Sequence, residues 1–158
     1  MTAIQITIPI IFAVTSLAMC FFRRMPACLV AYAGFVSAGM LGVMRLSVEQ
    51  YLIWGFLALV DTINIYATRM HPTRTMHLYT VIGCVVGGLL GWLGGTVLVV
   101  MVASALGAAL GFLAYTRTPQ GRRAEMPLSH RLSLFAGSAA TAWFTLVMVA
   151  YTIAPIFA

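Results

Sequence analysis

Apolar residues fill this chain in long runs broken by brief polar intervals. A bilayer-spanning helix needs about 20 largely apolar residues, because the hydrocarbon layer is roughly 30 Å thick and a helix rises 1.5 Å per residue. Six segments approach that length: residues 3–22, 27–44, 51–68, 78–93, 96–116 and 132–153. The pattern therefore predicts an all-α, polytopic bundle of six transmembrane helices. The connections between the runs are short and leave no room for a soluble domain.

The least certain boundary lies within residues 78–116, an apolar run without a single charge. As one helix it would be roughly 58 Å long, nearly twice the hydrocarbon thickness. Gly94 and Gly95 offer a tight reversal, since paired glycines break helices readily. The run reads as a hairpin, and the alternative of one long tilted helix gives five spans.

Charge placement gives a second view of the same topology. Arg23 and Arg24 fall in the first connection, Arg69 and Arg74 in the third, and Arg117, Arg122, Arg123 and Arg131 in the fifth. Arg45 alone falls in an even-numbered connection. Cytoplasmic loops collect basic residues, so the odd-numbered loops are expected in the cytoplasm and both termini on the outer side of a bacterial inner membrane. Tyr51, Trp54, Trp92 and Tyr151 then lie near the outer ends of spans, and Phe21, Phe22, Tyr66, Tyr79 and Tyr115 near the inner ends. Amphipathic rings favour both levels. Trp143 falls mid-span, as a packing anchor or a lipid-facing residue.

Composition supports the class. The 158 residues are 62% hydrophobic and 8% charged, against roughly 25% charged in ordinary soluble domains. All nine basic residues are arginine, and the net charge is +6. In a membrane chain such an excess records orientation, so nucleic acid is not an expected partner. Cys20, Cys28 and Cys84 form no CxxC pair and read as packing residues, with no metal ligation expected. The N-terminal run resembles an export signal, but Arg23 and Arg24 follow it and Met19 precedes Cys20, so it reads as a retained first helix.

Two kinds of position stand out inside the spans. Gly83, Gly87, Gly91 and Gly95 recur every fourth residue and make a smooth stripe, a glycine-zipper pattern that lets a neighbouring helix approach closely. Ala103, Gly107 and Gly111 continue a small-residue stripe on the next span, and Gly34, Ala38 and Gly42 make another on the second. These predict packing seams, within the chain or against a second copy or another membrane subunit.

Asp61 is the only acid well inside a predicted span. A carboxylate there costs several kcal/mol if ionised and unpaired. On a helical wheel Trp54, Ala58, Asp61, Asn64 and Thr68 share a face, which should turn inward. Asp61 then reads either as a group that takes a proton, cation or amine with Asn64 beside it, or as a structural hydrogen-bonding acid.

Other chemistry is sparse. Arg45 and Glu49, four residues apart, suit a weak surface ion pair or a receptor for an anion. His71 and His77 flank Arg74 and read as loop histidines, with Cys84 seven residues beyond His77 at no zinc-like spacing. No HExxH, aspartyl dyad, nucleotide loop or span histidine beside a serine is evident, so neither an enzyme nor a cofactor is expected. The leading expectation is a small transporter, channel or substrate-binding subunit lined by Asp61, Asn64, Thr68 and Trp54. Its rival is a non-catalytic assembly subunit working through the glycine seams.

Overall fold

A computed structural model describes residues 3–22, 24–67, 72–123 and 126–157. These residues form helices joined by turns, without a strand among them. The helices are α1 (Ala3–Cys20), α2 (Ala27–Met40), α3 (Val48–Ala67), α4 (Arg74–Trp92), α5 (Val97–Arg117), α6 (Pro119–Arg123) and α7 (Leu128–Phe157).

Four of them, α1, α4, α5 and α7, are long and apolar enough to cross a membrane. The other two predicted spans fall short of that standard. α2 has only 14 residues. α3 has 20 residues, but Glu49, Gln50, Asp61 and Asn64 dilute its apolar character.

Local chemistry explains most boundaries. α2 stops at Met40, before the predicted end at 44, because Gly42 adopts φ +73°. The Val43 N–H reaches back to the Ala38 carbonyl and the Gly42 N–H to the Gly39 carbonyl, which is the pattern of a Schellman helix stop. α4 starts four residues before the predicted 78, because the Thr73 hydroxyl accepts the Met76 N–H and caps the helix. Thr96 caps α5 in the same way through the Val99 N–H. The turn between them contains Gly95 at φ +74°, so residues 78–116 form a hairpin and not one long helix. The loop after α5 holds the short helix α6, which the polar composition did not foretell.

Helix α7 is the post of the bundle. It packs against α1, α2, α3, α4 and α5, whereas α3 leans chiefly on α2 and α7. Accordingly α7 supplies many of the buried groups, among them Ala142, Leu146, Val147, Met148, Val149 and Ala150. α3 buries only Ala58 and Asp61.

The closest pair is α4 with α5. A Cβ added at Gly83 would strike the Gly107 carbonyl, one at Gly87 the Ala103 carbonyl, and one at Gly111 the Tyr79 carbonyl. At Gly91 it would stand 2.8 Å from Val100 Cα and 2.9 Å from Ala103 Cβ. The two small-residue stripes thus face one another, backbone to backbone, and only residues without a side chain permit that approach. Gly34 plays a similar part between α2 and α1, where an added Cβ would lie 2.7 Å from Phe12 Cβ. Gly95 and Gly42 do not belong to the seams. An added Cβ at either meets nothing within 4 Å, and both are there for their left-handed backbone at helix ends.

Candidate functional site

Four α7 hydroxyls, Ser138, Thr141, Thr145 and Thr152, are buried. Their spacing of three, four and seven residues sets them on one face. Around that face the other helices bring Ser16 and Cys20 from α1, Cys28 from α2, Asp61 from α3 and His77 from α4, all buried. The result is a polar line along the inside of an otherwise apolar bundle.

Asp61 is 5% exposed, turned inward by the α3 face that also buries Ala58. The Thr141 hydroxyl donates to its Oδ1 at 2.8 Å and lies 3.2 Å from the Gly137 carbonyl. The second oxygen, Oδ2, is buried with no hydrogen-bond partner. Cys20 and Cys28 lie within electrostatic reach of this carboxyl.

The other positions expected beside Asp61 distribute differently. Asn64 is exposed, with its amide nitrogen 4.0 Å from where a Cβ on Gly137 would lie; it sits at the margin of the α3–α7 contact, not inside it. The wheel misplaced it because α3 has one neighbour on that side, so only the centre of the stripe is covered. Trp54 is half-buried in an aromatic cluster, with ring centroids 6.3 Å from Phe35, 6.5 Å from Phe144 and 6.0 Å from Tyr151. It lies two turns before Asp61 on α3, packed against the cluster of Ala58 and Met148. Thr68, Arg69 and His71 lie outside the described residues.

His77 departs from expectation. It is not a loop histidine but a member of α4, 4% exposed, because the Thr73 cap carries the helix back past it. Nε2 lies 2.8 Å from the Cys20 carbonyl and Nδ1 meets the Ser138 hydroxyl. A carbonyl only accepts, so Nε2 carries the proton, and in the neutral ring Nδ1 accepts from Ser138. A span histidine therefore does sit beside a serine. Both groups are enclosed, and the bonds tie α4, α1 and α7 together at the end of the bundle where α1 finishes and α7 begins.

Trp143 is a packing anchor: its indole N–H donates to the Met101 carbonyl of α5 at 2.8 Å, and its ring lies 5.2 Å from that of Phe144. Arg45 and Glu49 are both exposed. Cys20, Cys28 and Cys84 are buried free thiols. Among the described residues no group of three His, Cys, Asp or Glu side chains is placed to hold a metal ion.

Two apolar grooves mark the surface. One of about 830 Å³ runs along the α4–α5 seam between the ridges of Ile82, Val86, Leu106 and Leu110, with Arg74 at one end. A second, about 330 Å³, lies among Leu17, Leu89, Trp92, Leu146 and Ile153.

The α7 hydroxyls, His77 and Cys20 escaped the reading of the sequence. The spacing of Ser138, Thr141, Thr145 and Thr152 was legible, and an acid inside a span calls for a polar face on some neighbour. Comparison with family models, curated proteins and solved structures finds no match.

Proposed function

We propose that this protein is a small polytopic protein of the bacterial inner membrane, a transporter, channel or substrate-binding subunit that handles a positively charged species at Asp61. In this reading all six helices other than α6 cross the bilayer, both ends of the chain lie outside, and no catalytic step is involved. The polar positions of α3 do not oppose it, because Glu49 and Gln50 lie at the end of the helix, Asp61 faces inward and the exposed flank of Leu52, Phe56, Leu59 and Ile63 is apolar. One observation carries the reading: the only acid buried among the described residues keeps one oxygen without a hydrogen-bond partner. Buried polar groups are almost always paired, and an unpaired one marks strain, function or a bound species. The polar line from His77 through Thr141 and Thr145 offers further groups along the same axis.

The rival reading, an assembly subunit that binds foreign helices through its glycines, draws less support. α5 already fills the seam of Gly83, Gly87 and Gly91, and a foreign helix would have only the open groove beside it.

The test is ion movement in proteoliposomes carrying the wild-type chain or Asp61→Asn, followed with a pH-sensitive and a potential-sensitive dye under gradients of protons, alkali cations or methylammonium. Wild type is expected to dissipate one of these gradients, and Asp61→Asn to lose at least nine-tenths of that rate while retaining its helical content. Equal rates for the two proteins, whether both high or both at the level of empty liposomes, would overturn the reading.

A further inference from the structure

Hydroxyls within these helices commonly bond back to the preceding turn; Ser138 and Thr141 reach partners on other helices, and Thr145 does neither. Ser16 donates to Ala13, Thr62 to Ala58, Thr80 to Met76, Ser104 to Met101 and Thr152 to Met148, each to a carbonyl three or four residues back. This is the ordinary way a helix satisfies Ser and Thr in apolar surroundings. Thr145 is fully buried, 0% exposed, and its Oγ has no nitrogen or oxygen hydrogen-bond partner. It has forgone the back-bond to the preceding turn.

Thr145 follows Thr141 by one turn, so the two project from the same side of α7, with Cβ atoms about 6 Å apart. Thr141 is the residue that holds Asp61 Oδ1. The Cys20 thiol lies within hydrogen-bonding reach of Thr145 and within electrostatic reach of Asp61. Asp61 Oδ2 and Thr145 Oγ are the two buried side-chain oxygens or nitrogens without a nitrogen or oxygen partner among the described residues, and they belong to levels of α7 one turn apart, since Thr141 holds Asp61. They do not bond to each other.

Building on the assignment of Asp61 as a cation-handling group, we infer that Asp61 Oδ2 and Thr145 Oγ together bind a single alkali-metal cation. The donor set is all oxygen, which hard cations prefer, and the Thr141 hydroxyl oxygen has a lone pair to add. Its charge is that of the Asp61 carboxylate; Glu49 is exposed at the start of α3, and Glu125 lies outside the described residues. One monovalent cation neutralises it, whereas a divalent ion usually takes more carboxylates. The surroundings are small and apolar, with Ala58, Cys28 and Ala31 all essentially unexposed, so water must complete the ion's shell.

The full chain in detergent, thermally unfolded at constant pH and ionic strength, tests this. Replacing choline chloride with sodium, potassium or lithium chloride is expected to raise the midpoint by several degrees for at least one of the three, with saturation. Thr145→Val should abolish the shift, and in choline should be at least as stable as wild type, because it removes an unpaired buried hydroxyl. Thr145→Ser should keep the shift, and Asp61→Asn should lose it. A wild-type midpoint equal in all four salts, or a shift that survives Thr145→Val, overturns the inference. Asp61-dependent ion movement without any alkali shift would sink this site and spare the function proposed above; an alkali shift lost in Thr145→Val, with movement independent of Asp61, would do the reverse. A site holding only water predicts a changed midpoint for Thr145→Val and no salt dependence, and that result too is fatal to the inference.

Discussion

Replacing Gly87 with leucine should wedge α4 from α5. The first added atom alone would collide with the Ala103 carbonyl and lie 3.1 Å from Gly107 Cα, where ordinary contact begins at 3.4 Å. Both obstacles are backbone, so no side chain can swing aside, and the helices themselves must part. A gap of 0.5–1 Å forfeits about a quarter to a half of the dispersion attraction between the surfaces it separates. Overpacking usually costs about 1–3 kcal/mol, and a seam closed by main chain on both sides belongs at the upper end. About 3 kcal/mol corresponds to a loss of more than a hundredfold in the folded-to-unfolded ratio. Val86 is the control, one position away and half exposed on the ridge of the groove; Val86→Leu should change stability by no more than about 0.5 kcal/mol. Purified protein titrated with SDS in mixed micelles, followed by circular dichroism and tryptophan fluorescence, reads both numbers. Trp143, bonded to the Met101 carbonyl on α5, is a built-in reporter of the parting. If Gly87→Leu and Val86→Leu unfold at the same SDS fraction, the seam is not the tight contact argued for.

Two further outcomes check the arrangement. On a background without the three native cysteines, Val48→Cys should react with an impermeant maleimide in intact cells, and Gln120→Cys only after the membrane is opened; labelling of 120 from outside would reverse the proposed orientation, and labelling of both from one side would break the span assignment. Trp143→Phe keeps the ring but removes the bond to α5, and should cost about 1 kcal/mol in the same SDS titration, so an unchanged transition would mean that the bond contributes nothing.

Long-range periodicity carried much of the fold. The hairpin at Gly94 and Gly95 was readable because no charge interrupts residues 78–116 and a helix of that length overshoots a bilayer. The Gly83, Gly87 and Gly91 stripe was readable for its smoothness, though its mate was not. That the mate is Ala103, Gly107 and Gly111 follows from the hairpin register, which the turn fixes. Ends of helices were harder: Gly42 looked like one more small residue, and only its left-handed backbone shows that it stops α2. At the site, Asp61 stood out because a buried acid is costly. Its partners did not, because a threonine in an apolar run is cheap and ambiguous, and its meaning depends on which helix it faces. Asn64 failed for the opposite reason, since a helical wheel gives direction but says nothing of how wide the neighbour is.

The modest burial of α3 has a mechanical consequence. This helix buries only Ala58 and Asp61, while its flanks, from Leu52 and Phe56 to Leu59 and Ile63, remain exposed. It shares no backbone-tight seam of the kind that locks α4 to α5. What holds it includes the aromatic contacts of Trp54 and Tyr51, the Tyr32 hydroxyl bond to the Tyr51 carbonyl and the Thr141 hydroxyl bond to Asp61. Among the described residues the one interior carboxyl sits on the long helix that buries the fewest side chains, and the opposing wall, α7, packs against α1, α2, α4 and α5 as well. A wall packed on many sides facing one that buries few side chains is the geometry in which occupancy of a small site converts into displacement of a whole helix.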